Sequence, residues 1–283
     1  MPADTGFPRA DVENDFLRAR RSQTLSRLAH WLRREPDDVN VILPFDEVVA
    51  ALGMRSERRL GLQSIPLSEV VGTVDSTRDF DRRFRPTNER VRERWERIAL
   101  AQRRGESIPP IDVYRVGNMY FVEDGRHRVS IAIATGAKTI DANVTEVLTQ
   151  IPATGIRGRR DLLVKNYERM FRERVPLSPA ALEKITVTEA WSYAELGENV
   201  EAWGFRYMQD KGQFLNRAEI ARHWYNEEYV PVVRMLRAAD LIGSRTEAEA
   251  YMRVAAERYR LIMTHEWNDE IIERLRRERR EIR

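Results

Sequence analysis

The stretch Val122-Glu-Asp-Gly-Arg-His-Arg-Val-Ser-Ile-Ala132 carries an apolar strand into a glycine turn and straight on into a helical pattern. Gly125 has no Cβ, so the chain can turn sharply there and approach a ligand closely. The amides that follow then point out of a helix N-terminus, where an anion is favoured. Arg126, His127 and Arg128 bring charged or chargeable donors to the same place. This junction is the natural seat of a bound phosphate. The competing account is a structural turn in which Arg128 pairs with Asp124.

Working outward, Ile111 to Val116 and Met119 to Val122 read as two strands joined at Gly117-Asn118, a hairpin signal. Beyond the turn, Val129, Ile131, Ala132, Ile133 and Ala134 fit a short buried helix that stops at Gly136. Thr139 to Thr145 then alternates like a further strand. The order is strand, strand, turn, helix, strand.

With this order and the wording Asp124-Gly125-Arg126-His127-Arg128, the segment resembles the core of the ParB/sulfiredoxin superfamily. In that superfamily a strand ends in a Gly-x-x-Arg turn that opens a helix and holds nucleotide phosphates. The upstream run Ile65-Pro-Leu-Ser-Glu-Val-Val-Gly72, the segment Asp75 to Pro86 and a helix from about Asn88 to Arg104 resemble the first half of the module. The likeness spans about Ile65 to Val147. Sulfiredoxin chemistry needs a cysteine in the turn, and the chain contains none. CTP-binding ParB proteins carry Gly-Glu-Arg-Arg where this chain has Gly-Arg-His-Arg. The acidic-glycine-basic-His-Arg order is nearer to the free-serine kinases of the superfamily, which use a nucleotide as phosphoryl donor.

The resemblance implies an α+β domain that binds a nucleoside tri- or diphosphate, with Mg²⁺ as companion ion, and acts as a phosphotransferase or NTP hydrolase. Gly125, Arg126, His127 and Arg128 would hold the phosphates. Phosphoryl transfer also needs cations on the developing charge and a carboxylate to hold a metal or take a proton. Arg78, Arg82 and Arg85 are the further cation candidates, and Asp79, Asp81 and Asp124, with Asp75, the carboxylates. The bland account of Asp75 to Arg85 is a solvated, salt-bridged loop. His127 is a candidate acid or base, or a hydrogen-bonded structural histidine.

Bulk properties narrow the classes. A chain of 283 residues with 42% hydrophobic content can build two modest cores. Without cysteine there are no disulfides or thiolate metal sites, in keeping with a reducing cytosol. His30, His127, His223 and His265 lie far apart with no ligand spacing, so no metal set is expected. No apolar run approaches the roughly 18 to 20 residues that cross a bilayer, and the first residues lack a secretory core, so a cytoplasmic protein with no membrane partner is expected.

The formal net charge is +3, and the basic residues are almost all arginine. They cluster at Arg18 to Arg34, Arg78 to Arg104, Arg157 to Arg174 and Arg274 to Arg283, which leaves DNA open as a partner. Interleaved carboxylates such as Glu89, Glu93 and Glu96 would cancel much of that field. A DNA-associated transcriptional or chromosome-partition regulator is therefore the alternative function. A second copy of the chain, in a homodimer, is a further candidate partner.

Before the mixed domain, Asp11 to Arg34 reads as an amphipathic helix ended by Pro36, and Phe45 to Leu52 as a second helix capped by Gly53. These give a helical extension over 1–64, followed by the ParB/sulfiredoxin-like domain at 65–150. Thr149 to Arg160, with Pro152, Gly155 and Gly158, reads as a linker to an all-helical domain at 160–283. Its expected helices are Asp161 to Arg174, Ser178 to Glu183, Tyr193 to Gln209, Arg217 to Ala239, Arg245 to Met263 and Trp267 to Arg280. Asn216 to Ile242 also carries a faint helix-turn-helix pattern, with Val230 to Leu236 as recognition element. The alternative makes Trp224, Tyr225 and Tyr229 bundle core.

Overall fold

The computed structural model describes residues 5–32, 42–75 and 79–262. The expected helix at Trp267 to Arg280, the stop at Pro36, the terminal arginine cluster and Arg78 lie outside them. The chain divides into two compact units, Met1–Asn166 and Tyr167–Arg283.

The first unit is α+β. It runs α1 (Pro8–Leu32), β1 (Leu43–Pro44), α2 (Phe45–Leu52), β2 (Met54–Pro66), β3 (Val70–Thr73), α3 (Arg92–Arg103), β4 (Ile111–Val116), β5 (Met119–Asp124), α4 (Arg126–Ala134), β6 (Thr139–Thr149) and the start of α5 (Arg159–Arg174). The strands form one mixed sheet in the order β1-β3-β5-β4-β6-β2. β1, β3 and β5 run parallel, β4 turns back antiparallel to β5, and β6 pairs parallel with β4 and antiparallel with β2. Val116 faces Met119 across the turn, so Gly117-Asn118 is the two-residue hairpin loop that its composition predicts.

Alternation along β5 sends its side chains into two cores, which is what a central strand requires. Tyr120 and Val122 join Phe16 of α1, Trp95 of α3 and Val129 and Ile131 of α4 on one face. Met119 and Phe121 meet Leu43, Phe45, Val48 and Leu52 on the other. The Trp95 indole, fully buried, donates to Ser130 Oγ at 2.9 Å and packs edge-on against Phe16, so α3 is held to α4 by a polar contact and to α1 by an aromatic one.

Two boundaries differ from those the sequence suggests. The extension expected over 1–64 is not purely helical: on either side of α2, β1 and β2 belong to the sheet, and β2 pairs with β6 along nearly its whole length. The segment 149–160 is not a loose linker either, because Ile151, Ala153 and Ile156 are buried in the second core. The division between units falls within α5 instead.

The second unit is helical through α6 (Pro179–Leu182), α7 (Ser192–Lys211), α8 (Arg217–His223), α9 (Val230–Ala238) and α10 (Glu247–Ile262). A capping box starts α8: the Asn216 side chain accepts from the Glu219 amide at 3.0 Å, and the Glu219 carboxylate accepts from the Asn216 amide at 2.8 Å. Between α8 and α9 the chain stays helical through a π-helical segment, Trp224–Tyr229. A helix-turn-helix needs a turn there, and this run has none. Trp224 and Tyr229 are instead buried with Tyr251, whose hydroxyl oxygen accepts from the Trp224 indole at 3.1 Å. These aromatics are bundle core. No described helix is long and apolar enough to cross a membrane.

Candidate functional site

Strand β5 ends at Asp124 and α4 begins at Arg126, so Gly125 alone makes the corner. Its φ of 105° lies in the positive region that side chains disfavour, and a Cβ there would sit 2.4 Å from Ile111 Cγ2. Only glycine fits. As N-cap, Gly125 offers no side chain to the first amides of α4; its carbonyl accepts from Val129 at 3.0 Å to start the helix. The amides of Arg126, His127 and Arg128 therefore open the helix without a side-chain cap, beside the C-terminal ends of the parallel strands β3 and β5. Ligands of open α/β sheets bind at such ends.

The flanking side chains divide by function. Arg128 points back from the opening: it donates to the Pro109 carbonyl at 2.8 Å, to the Pro110 carbonyl at 2.6 Å and to the Asp124 carboxylate. Arg128 and Asp124 thus brace the turn against the segment that enters β4. This is the pairing that the structural account of the turn anticipates, and it makes Arg128 a positioning residue.

Arg126 faces the loop after β3, with Nη1 3.6 Å from an oxygen of the exposed Asp75 carboxylate. A surface pair at that separation is weak and exchangeable, so Arg126 can turn to an incoming anion at little cost. His127 lies edge-on to Phe80, ring centroids 5.2 Å apart. Burial, and after it the cations Arg94 and Arg126, push its imidazole down to about 4, against the weaker opposing pull of Asp79 and Asp124. At neutral pH His127 is an uncharged hydrogen-bonding group and not a proton donor of ordinary acidity.

The segment 79–87 is ordered around Asp81, a buried carboxylate. Asp81 accepts from the amides of Arg83 at 3.0 Å and Arg85 at 2.9 Å, and from the Arg85 guanidinium at 2.8 and 2.6 Å. Arg85 in turn donates to the Ser22 carbonyl of α1 at 2.9 Å. Asp81 and Arg85 are consequently a loop clamp, leaving Asp81 no spare lone pair for catalysis. Asp79 accepts from the Asn88 side-chain amide at 2.8 Å, and Arg82 donates to the Arg157 carbonyl.

Of the predicted site residues, the fold brings Gly125, Arg126 and His127 together with Asp75 and Asp79 close by. It places Asp124 and Arg128 beneath the turn and commits Asp81, Arg82 and Arg85 elsewhere. Arg94 is the cation that sequence reasoning missed; it sits next to Trp95, whose bond to Ser130 fixes α3 beside α4. Among the described residues, no three Asp, Glu or His side chains stand together as a metal-ligand group. The chain matches no protein-family model, no curated protein and no solved structure.

Proposed function

We propose that the first unit is a nucleotide-binding domain of ParB/sulfiredoxin type whose phosphate seat is the Gly125 corner. The observation that carries this reading is the opening of α4: a left-handed glycine, first-turn amides with no side-chain cap, and Arg126 in a long surface ion pair with Asp75. Backbone amides at a helix N-terminus bind one phosphate, and a guanidinium released from Asp75 adds a two-pronged contact. His127, kept neutral, donates or accepts a hydrogen bond to a phosphate oxygen without adding charge.

If the domain transfers a phosphoryl group, Asp75 and Asp79 are the carboxylates placed to help, since Asp81 is saturated and Asp124 braces Arg128. Mg²⁺ commonly uses one or two carboxylates together with phosphate oxygens and water. That requirement fits Asp75 and Asp79 without a dedicated protein cage. The ion would neutralise charge on the phosphates.

The test is calorimetric titration of ATP, ADP, CTP and GTP, with and without Mg²⁺, into the native protein and into Arg126→Ala. Arg126 is a cleaner probe than Arg128, because its surface pair contributes little to stability. At least one nucleotide should bind, about tenfold or more weakly in the variant, as expected for a lost charged hydrogen bond. The reading is wrong if no nucleotide binds, or if Arg126→Ala binds as the native protein does.

A further inference from the structure

A cavity of about 890 Å³ opens at the other end of α4, between the start of β3, the turn from α4 into β6, and the loop 79–87. Its wall carries Arg82, Arg83, Lys138 and Arg157, and no carboxylate among the described residues lines it. The floor is apolar, formed by the buried Leu67 and Val70. The volume falls in the range of small-molecule sites, which run roughly from 300 to 1,000 Å³.

The wall is built rather than incidental. The Leu67 amide donates to the Lys138 carbonyl at 2.9 Å, tying the entrance of β3 to the turn after α4. Asp161 accepts from the amides of Arg157 at 2.7 Å and Gly158 at 3.0 Å, and the Arg157 carbonyl accepts from Arg82. β1 pairs only with Gly72 and Thr73, so among the described residues no strand covers the first half of β3 on that side.

Among the described residues, basic side chains and no carboxylate line this space, which raises the positive potential there. Arg83, Lys138 and Arg157 suit a phosphate dianion, which accepts several guanidinium and ammonium donors at once. The apolar floor calls for a hydrocarbon or aromatic body on the same molecule. We infer that this cavity binds a small phosphate monoester with an apolar body, at a site separate from the Gly125 corner. The two are about 13 Å apart along the nine residues of α4.

The probe is 1-naphthyl phosphate, titrated by calorimetry into the native protein, into the double variant Arg83→Glu/Lys138→Glu and into Arg126→Ala. Both residues of the double variant are exposed, and the paired alanine variant serves if charge reversal disturbs folding. Saturable binding is expected in the native protein, at least tenfold weaker in the cavity variant and unchanged in Arg126→Ala. Inorganic phosphate should bind at least tenfold more weakly than the naphthyl ester, because it leaves the floor empty. Absence of saturable binding, equal affinity in the cavity variants, equal affinity for inorganic phosphate, or a loss confined to Arg126→Ala would each overturn the inference. The last result would place the probe at the Gly125 corner.

Discussion

Replacing Gly125 with alanine should lower the stability of the protein by about 3 kcal/mol or more, the sum of an unfavourable backbone and an overpacked core. The backbone part follows from a φ of 105°, which an L side chain rarely adopts. The packing part follows from Ile111: it is fully buried, and its Cγ2 would lie 2.4 Å from the new methyl with Cβ at 2.9 Å. A branched side chain in a packed core has little room to yield, so the strand or the turn must shift. Because the same turn aims the first amides of α4, the proposed phosphate binding should fall with stability. Chemical unfolding monitored by circular dichroism measures the first effect, and a midpoint equal to that of the native protein would refute the account of the corner.

Asp81→Ala should be comparably damaging, by about 3 kcal/mol or more, because it strands the partly buried Arg85 guanidinium and two backbone amides. The loop it holds is strained: Phe84, almost wholly buried, sits at φ 53°, and its amide donates to the Asp81 carbonyl at 2.8 Å. Losing the carboxylate removes the restraint that keeps Phe84 there, and with it the seat of Phe80 against His127. For a unit of this size the loss corresponds to a drop in unfolding temperature of roughly 10 °C. Had Asp81 been a catalytic base exposed to substrate, its removal would abolish turnover and leave the melting temperature intact. Calorimetric melting of Asp81→Ala separates the two.

Much of the first unit was legible because its central elements are local and periodic. The hairpin at Gly117-Asn118, the corner at Gly125 and α2 from Phe45 to Leu52 all follow from turn chemistry and apolar spacing. β2 was not legible. Apart from Ile65 its side chains are exposed or half-buried, and Met54-Arg-Ser-Glu-Arg-Arg-Leu offers no alternation. Its strand character comes from pairing with β6, a long-range contact that no local pattern announces. The site was half legible for a similar reason. Glycine and the basic residues mark the corner, yet which arginine faces outward depends on the Pro109 and Pro110 carbonyls that capture Arg128. The basic cavity was hidden altogether, because its cations come from three separate segments of the chain.

His127 reports on both stability and ligand. Its folded value near 4 lies below the ordinary 6.5, so the folded state prefers the neutral ring. That contribution is fully present above about pH 6.5 and is lost as the pH falls toward 4, where the unfolded chain binds the extra proton. The loss should be about 1 to 2 kcal/mol once solvent screening of a half-exposed ring is discounted. Unfolding midpoints that stay level between pH 6.5 and pH 4.5 in the native protein, relative to His127→Gln, would contradict this.

A phosphate at the α4 opening would also stand beside this ring and favour its charged form. The most direct test is therefore an NMR titration of the His127 imidazole with and without saturating inorganic pyrophosphate, the moiety shared by nucleoside di- and triphosphates. The account predicts a ring that titrates near 4 alone and rises toward its ordinary range when pyrophosphate is bound. A titration curve that does not move with saturating pyrophosphate would contradict a phosphate seat at Gly125.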